Sequence, residues 1–379
     1  MARIKERPED FFVKEMATLD LKDSGEFAYF LLRKRNMTTN EAVREVSKIL
    51  GVRPSDVGYA GLKDKRAVTE QYISVRKPGR IREVEREDLS LKFLGYGDRP
   101  IELGDLEGNF FRIRVLLTSK RERARLEEGI EFVKRFGFEN YFGEQRFGSV
   151  KHAEEFVVKH LIRHDYESAM REYLTSLADK RLKKRLLKAW RDWDRFLELM
   201  PKGSHYEVEV VKALKKGVSF KKAFLVLPAS IRLMFSFAYQ SYLWNRYLTT
   251  FVVRYFPHCS VPFLKWRLAF ITRIDETVFE EIKDLEIPFL GSEIKPKDPK
   301  IGLIIREVIE DEGLSRSALK AERIGMKIFT DGVRKAFAFP ESLTLEELEG
   351  KYAVLSFTLP PGSYATVLLR KVLCSPLEE

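Results

Sequence analysis

The chain has 379 residues, enough for one large or two ordinary domains, so core size does not limit the fold. Its composition, 44% hydrophobic, fits a soluble globular protein. No apolar run nears the roughly 18 residues of a membrane-spanning helix, and two cysteines, Cys259 and Cys374, are too few for a disulfide framework or a zinc site. A net charge of +11 points to a polyanionic partner, nucleic acid first, and abundant Lys and Glu beside only three Gln and five Asn suggest a thermophilic source.

At the N-terminus, Met1-Ala2-Arg3-Ile4-Lys5-Glu6 has no apolar core like that of a signal peptide, so the chain is expected to act in the cytoplasm. Residues 3–15 read as a strand, with alternation around Phe11 and Val13. Thr38-x-x-Glu41 is a capping box that opens a helix to Leu50, closed by Gly51. A loop at 57–64 precedes strands near 71–76 and 90–96, and 109–117 begins with alternating apolar and basic residues. Ser119-x-x-Glu122 caps a second helix that runs to Gly137.

The texture changes after about residue 150. Residues 152–200 read as continuous helix, and 230–256 as an aromatic-rich helix. Between 180 and 222, fourteen Lys and Arg stand against five Asp and Glu, a net of +9, so most of the excess charge sits in one segment. The stretch 285–302 reads as a loop or linker, and strand signal returns at 325–339 and 351–359. This order predicts an α+β fold with a mixed, mainly antiparallel sheet: a first sheet part over 1–152, a helix-rich insertion over 153–320, and a last sheet part over 321–379.

The motifs exclude several chemistries. His160 and His164 have helical i, i+4 spacing without an HExxH pattern, and with His152, His205 and His258 they form no metal-ligand cluster. No P-loop and no GxGxxG occur, and no histidine lies in a motif segment where a Ser-His-Asp triad would need one. Carboxylates remain. In "GYAGLKDKRAVTEQ", residues 58–71, Asp64 stands on a loop with Gly58 and Gly61, and Lys63, Lys65 and Arg66 are close enough in sequence to keep it ionised. Such an acid serves as nucleophile or base, or only as a turn acid in a charged loop. The three glutamines, Gln71, Gln145 and Gln240, all fall in motif-like stretches, as expected if their bidentate hydrogen bonding is needed.

The 58–71 stretch resembles the signature of the TruD family of tRNA pseudouridine synthases, whose GxKD element carries the catalytic aspartate. Further segments resemble the family in the same order: Pro8 through Glu15, Gly108-Asn109-Phe110-Phe111, Asn140 through Gly148, and Pro361 through Thr366 with Arg370. The resemblance implies a pseudouridine synthase sheet domain, isomerisation of uridine to pseudouridine at position 13 of tRNA, and Asp64 as the catalytic acid. It places Phe11, Asn109, Phe111 and Tyr364 where the family contacts the target nucleotide. Part of the family carries phenylalanine in place of Tyr364. Lys5 falls on a family lysine near the active site and is the candidate ion-pair partner of Asp64. No cofactor, metal, membrane or obligate protein partner is implied; the partner is tRNA. In such an enzyme Lys183, Lys184, Arg185 and Lys188 become candidate phosphate contacts. A non-catalytic RNA-binding protein is the alternative from another class. A glycosidase-like hydrolase would need a second carboxylate about 5–10 Å away, for which Glu15 is the one candidate.

Overall fold

The computed structural model describes residues 2–150, 153–176, 179–201, 203–291 and 293–378. The chain divides into two compact units, 1–140 with 337–379, and 141–336. The second interrupts the first in sequence, with its edges at 140/141 and 336/337 rather than at the 152/153 and 320/321 read from composition.

The first unit is built on a sheet of eleven strands among the described residues. Its main path runs Glu341–Glu349, Tyr352–Leu359, Gly108–Leu116, Phe11–Met16, Val68–Arg76, Phe27–Arg35, Leu89–Gly97, Val84–Glu85. Neighbours on this path are antiparallel except Phe11–Met16 beside Val68–Arg76, so the sheet is mixed and mainly antiparallel, as expected. The first stretch read as one strand is two, Ala2–Ile4 and Phe11–Met16, separated by a 3-10 turn over Pro8–Asp10. Proline supplies the break because it cannot donate to a ladder.

Both predicted capping boxes are present. Thr38 Oγ1 accepts the Glu41 N–H at 3.1 Å while Glu41 accepts the Thr38 N–H at 2.8 Å, opening Thr39–Leu50, and Gly51 ends it in the left-handed region. Its apolar face, Ala42, Val43, Val46 and Leu50, closes over Ala28, Phe30, Leu32, Ile73, Val75, Leu89 and Leu91 of the sheet. Ser119 and Glu122 cap Lys120–Phe136 in the same way. That helix packs on Ala365–Leu373, in which all nine residues are buried, Arg370 and Lys371 included. The Lys371 ammonium is held 3.1 Å from the buried Glu139 carboxylate, and burial pushes it below the ordinary lysine range.

In the second unit the Ala229–Tyr255 helix is the axis, and it buries Tyr239, Gln240, Leu243, Trp244 and Asn245. The helix signal over 152–200 resolves into four helices, Val157–Ile162, Tyr166–Ser176, Lys180–Lys188 and Trp193–Leu199. Asp179 and Asp192 each accept a backbone N–H as N-caps inside this run, which propensity alone reads as unbroken. The 285–302 segment is not a linker. It holds the Glu286–Pro288 strand and the start of the Pro299–Asp311 helix, with Asp298 as N-cap and Pro299 in the first turn. Among the described residues no single helix is long and apolar enough to cross a membrane.

The two helices of the sheet unit meet at Gly129, where a Cβ would lie 2.0 Å from the Val372 carbonyl oxygen. Elsewhere in a helix, Gly→Ala stabilises by about 1 kcal/mol. Here Gly129→Ala is expected to destabilise, by about 1–3 kcal/mol of overpacking. Chemical denaturation of the variant checks this; a raised midpoint would mean that the helices separate freely.

Candidate active site

The loop after the Val57–Tyr59 strand is pinned at three backbone points. Gln71 Nε2 donates to the Gly61 carbonyl at 3.2 Å, the Lys63 N–H donates to Thr39 Oγ1 at 2.9 Å, and Lys34 Nζ donates to the Asp64 carbonyl at 2.7 Å. Lys34 also donates to the Met37 carbonyl at 2.7 Å, so one buried ammonium ties this loop to the approach of the Thr39–Leu50 helix. Burial pushes the Lys34 pKa down to about 8; the nearby Asp64 charge opposes that fall and Lys63 adds to it. Lys34 and Thr39 were not read as site residues. The available signal was a lysine on an inward position of an apolar strand, Phe27-Ala28-Tyr29-Phe30-Leu31-Leu32-Arg33-Lys34.

With its backbone held, Asp64 turns its carboxylate towards Lys5. Lys5 Nζ lies 2.8 Å from Asp64 Oδ1, and the side chains are 4% and 18% exposed, so the cation is buried while the acid keeps an open side. Lys5 ends the Ala2–Ile4 strand with φ of 60°, in the left-handed region that a β-carbon disfavours. Strain of this kind costs on the order of 1–3 kcal/mol and clusters at functional sites. The ammonium also lies over the Phe11 ring, 4.1 Å from its centroid.

The lysines flanking Asp64 in sequence act elsewhere. Lys63 pairs with Glu15 and donates to Asn109, Lys65 pairs with Glu41 at 3.5 Å, and Arg66 donates to the Glu6 carbonyl. Charge proximity along the chain thus did not find the pairing, whereas Lys5, 59 positions away and the partner that the resemblance implied, is in contact with Asp64. Gly58 likewise serves packing and not a ligand, since a Cβ there would sit 2.4 Å from the Ile101 carbonyl oxygen.

Phe11 and Phe111 are almost wholly buried. Phe111 stacks on Phe357 at 5.5 Å and meets Phe11 edge-on at 6.1 Å, so these rings form an apolar floor. Of the Phe110 and Phe111 pair, Phe111 is therefore the core residue; Phe110 is half-buried against Phe12. Asn109 is half-buried and lies across from Glu15 in one strand pair and from Leu359 in the other. After Leu359 the chain turns through 360–363 to Tyr364, a half-buried ring at the N-terminus of Ala365–Leu373. The Ser363 hydroxyl bonds the Asn140 side chain at 3.1 Å, joining the two motifs on either side of the interruption.

Gln71 and Gln240 each hold main-chain carbonyl groups. Gln71 accepts from the Thr39 hydroxyl as well as holding Gly61, and Gln240 donates to the Leu290 and Thr330 carbonyls at 2.6 Å each. Gln145 is exposed. Among the described residues no group of three or more His, Cys, Asp or Glu side chains is placed to hold a metal ion; His152 lies outside them.

On the Lys180–Lys188 helix, the four candidate phosphate contacts separate. Lys184, Arg185 and Lys188 are exposed and make no ion pair among the described residues. Lys183 faces inward, 3.6 Å from Glu154 and 3.8 Å from Glu172, and is withdrawn from that group because its charge is already compensated and covered.

The chain matches the family model for tRNA pseudouridine synthase D (TruD) over residues 1–372. It is 60% identical over 381 residues to the tRNA pseudouridine synthase D of Aquifex aeolicus (strain VF5), across 99% of each chain. It is 33% identical over 390 residues to "Probable tRNA pseudouridine synthase D 2" of Methanocaldococcus jannaschii, across 97% of this chain and 91% of that one. Its fold is similar to the crystal structure of a protein of the same description from Methanosarcina mazei, with a TM-score of 0.68 at 27% identity, covering 98% of this chain and 93% of that one.

Lys34 makes a pH dependence testable. Its folded pKa of about 8 lies below the ordinary lysine value of 10.5. Below the folded value both states are charged and the burial cost is fully present. Between the two values the folded state sheds a proton that the unfolded chain keeps, so stability rises with pH. The difference in denaturation midpoint between the wild type and Lys34→Met should therefore be flat at lower pH and move in favour of the wild type from pH 8 towards 10. A flat difference throughout would mean that the buried ammonium titrates normally.

Proposed function

The chain belongs to the tRNA pseudouridine synthase D family and isomerises uridine in tRNA, and within that reaction we propose that it acts at position 13 with the Asp64 carboxylate as the reacting group. The observation that carries this reading is the Lys5–Asp64 pair: an acid with one open side, 2.8 Å from a buried cation, on a loop pinned through its own backbone. Attack on a sugar carbon or removal of a proton is the chemistry that such a carboxylate serves.

Isomerisation breaks the N1–C1′ bond, turns the uracil, joins C5 to C1′ and releases the C5 proton. An ionised Asp64 supports either of two routes: addition to C1′ as uracil departs, or removal of the C2′ proton to give a glycal. The uridine must first leave its stack, at a cost of a few kcal/mol. Stacking on an aromatic ring is worth about 1–3 kcal/mol per base. Tyr364, half-buried at the helix start, is the ring we assign to this, whereas Phe11 and Phe111 are more deeply buried. The exposed Lys184, Arg185 and Lys188 suit contact with tRNA phosphates, which supplies affinity without reading sequence.

Incubation with unmodified tRNA transcripts, followed by mapping of pseudouridine, tests the reaction and its position together. Asp64→Asn should abolish isomerisation and leave tRNA affinity within a few-fold, because it removes charge but little volume; turnover within tenfold of the wild type would remove Asp64 from the mechanism.

Reversing Lys184, Arg185 and Lys188 to glutamate should weaken tRNA binding and lower the slope of log K against log salt by roughly 0.7–0.9 per lost contact. The single-turnover rate at saturating tRNA should barely change. An unchanged slope would move the tRNA-binding surface elsewhere.

A further inference from the structure

Lys63 stands between two groups that the reaction as described leaves without a task. Its Nζ lies 2.7 Å from Glu15 Oε2 and 2.7 Å from Asn109 Oδ1. The Glu15 side chain is fully buried, and its other oxygen accepts the Tyr72 N–H at 3.2 Å. Glu15 and Asn109 face each other directly across antiparallel strands, so one lysine head reaches both. An ammonium group only donates, so the amide atom that it meets is the oxygen. The Asn109 NH2 is therefore turned the other way, and among the described residues it makes no hydrogen bond.

We propose that Glu15 and Lys63 are positioning residues that fix the Asn109 amide as a hydrogen-bond donor, so that the site reads a carbonyl oxygen of the incoming uracil. An unrestrained asparagine offers donor or acceptor by turning its amide over, and so distinguishes poorly between a base carbonyl and a base amino group. A locked donor accepts the carbonyl and leaves an amino group facing it unpaired. The lock needs both members: removing either Glu15 or Lys63 leaves the other buried without its ion-pair partner. Lys63 also precedes Asp64, so the group that fixes the amide and the group that reacts share one loop. The inference rests on the reading that the target uridine enters this site.

The test uses ligated tRNAs whose target nucleotide is uridine, 2-thiouridine or 4-thiouridine, since a thiocarbonyl is a weak acceptor. Single-turnover rates are measured for the wild type, Lys63→Met and the double variant Glu15→Gln/Lys63→Met. The double variant removes both buried charges together and so guards against misfolding of the single one. The wild type should be slowed about tenfold by one of the two thio substitutions, the loss of one hydrogen bond. The ratio of uridine to thiouridine rates should be lower in the double variant than in the wild type, and comparing that ratio between the enzymes cancels the intrinsic reactivity of the thio base. Equal ratios in the wild type and the double variant would overturn the lock. Indifference of the wild type to both thio substitutions would overturn the carbonyl contact. No pseudouridine from the wild type on ordinary transcripts would overturn the functional reading, and this inference with it.

Discussion

One buried ammonium sets the geometry on which the site depends. Lys34 lies on Phe27–Arg35, the strand between Val68–Arg76 and Leu89–Gly97, and two of its donors go to the Met37 and Asp64 carbonyls. Carbonyl oxygens satisfy its donors, and its burial is what lowers its pKa. The same cation thereby fixes where the Thr39–Leu50 helix begins and how the Asp64 backbone runs. The side chain of Asp64 then meets a second lysine from a different strand. Backbone and side chain of one residue are thus held by two cations with separate tasks.

The surroundings of Asp64 divide into an apolar and a polar side. Phe11, Phe111 and Phe357 pack ring on ring beneath, and Lys5 is seated between the Phe11 face and the carboxylate. A low-dielectric floor strengthens the charge pair above it, and it makes an unpaired charge costly there. The left-handed Lys5 backbone fits the same logic: the chain accepts local strain to bring an ammonium onto the acid from the end of a short strand.

The strands with alternating residues and the two capped helices were legible because their signals are local. The capping boxes at Thr38 and Ser119 depend on residues three apart, and the structure has both. The long strand Phe27–Arg35 was not read, since Phe-Ala-Tyr-Phe-Leu-Leu has no alternation when both faces are covered. The helix Ala365–Leu373 was hidden for a related reason, being buried on every side. In the site, the residue types were legible and the resemblance carried the Lys5–Asp64 pair, but the partners of Lys63 and Lys65 were not legible. Sequence distance favours Lys63 or Lys65 as the partner of Asp64, but strand register carries Lys63 to Glu15 and Asn109 and brings in Lys5. Burial of Lys183 was equally out of reach, because its acid partners Glu154 and Glu172 lie on other segments.

The point where the chain leaves and re-enters the sheet unit has a consequence for synthesis. Phe138–Glu139 pairs antiparallel with Phe337–Ala338, just outside the 141–336 unit. During translation the ribosome delivers eight strands of the sheet, then the whole of 141–336, and only afterwards Tyr352–Leu359 and the buried helix behind it. Until those last residues emerge, the ring of Phe111 lacks Phe357 and one edge of the Gly108–Leu116 strand lacks its partner. Closing so long a loop costs entropy that grows with its length. If 141–336 folds first, its own ends become neighbours, the effective loop shrinks to the short crossing at 138–139 and 337–338, and the late strand docks locally. The insertion is then a tether for the nascent chain, and slowing its folding would lengthen the time for which an aggregation-prone edge stands open.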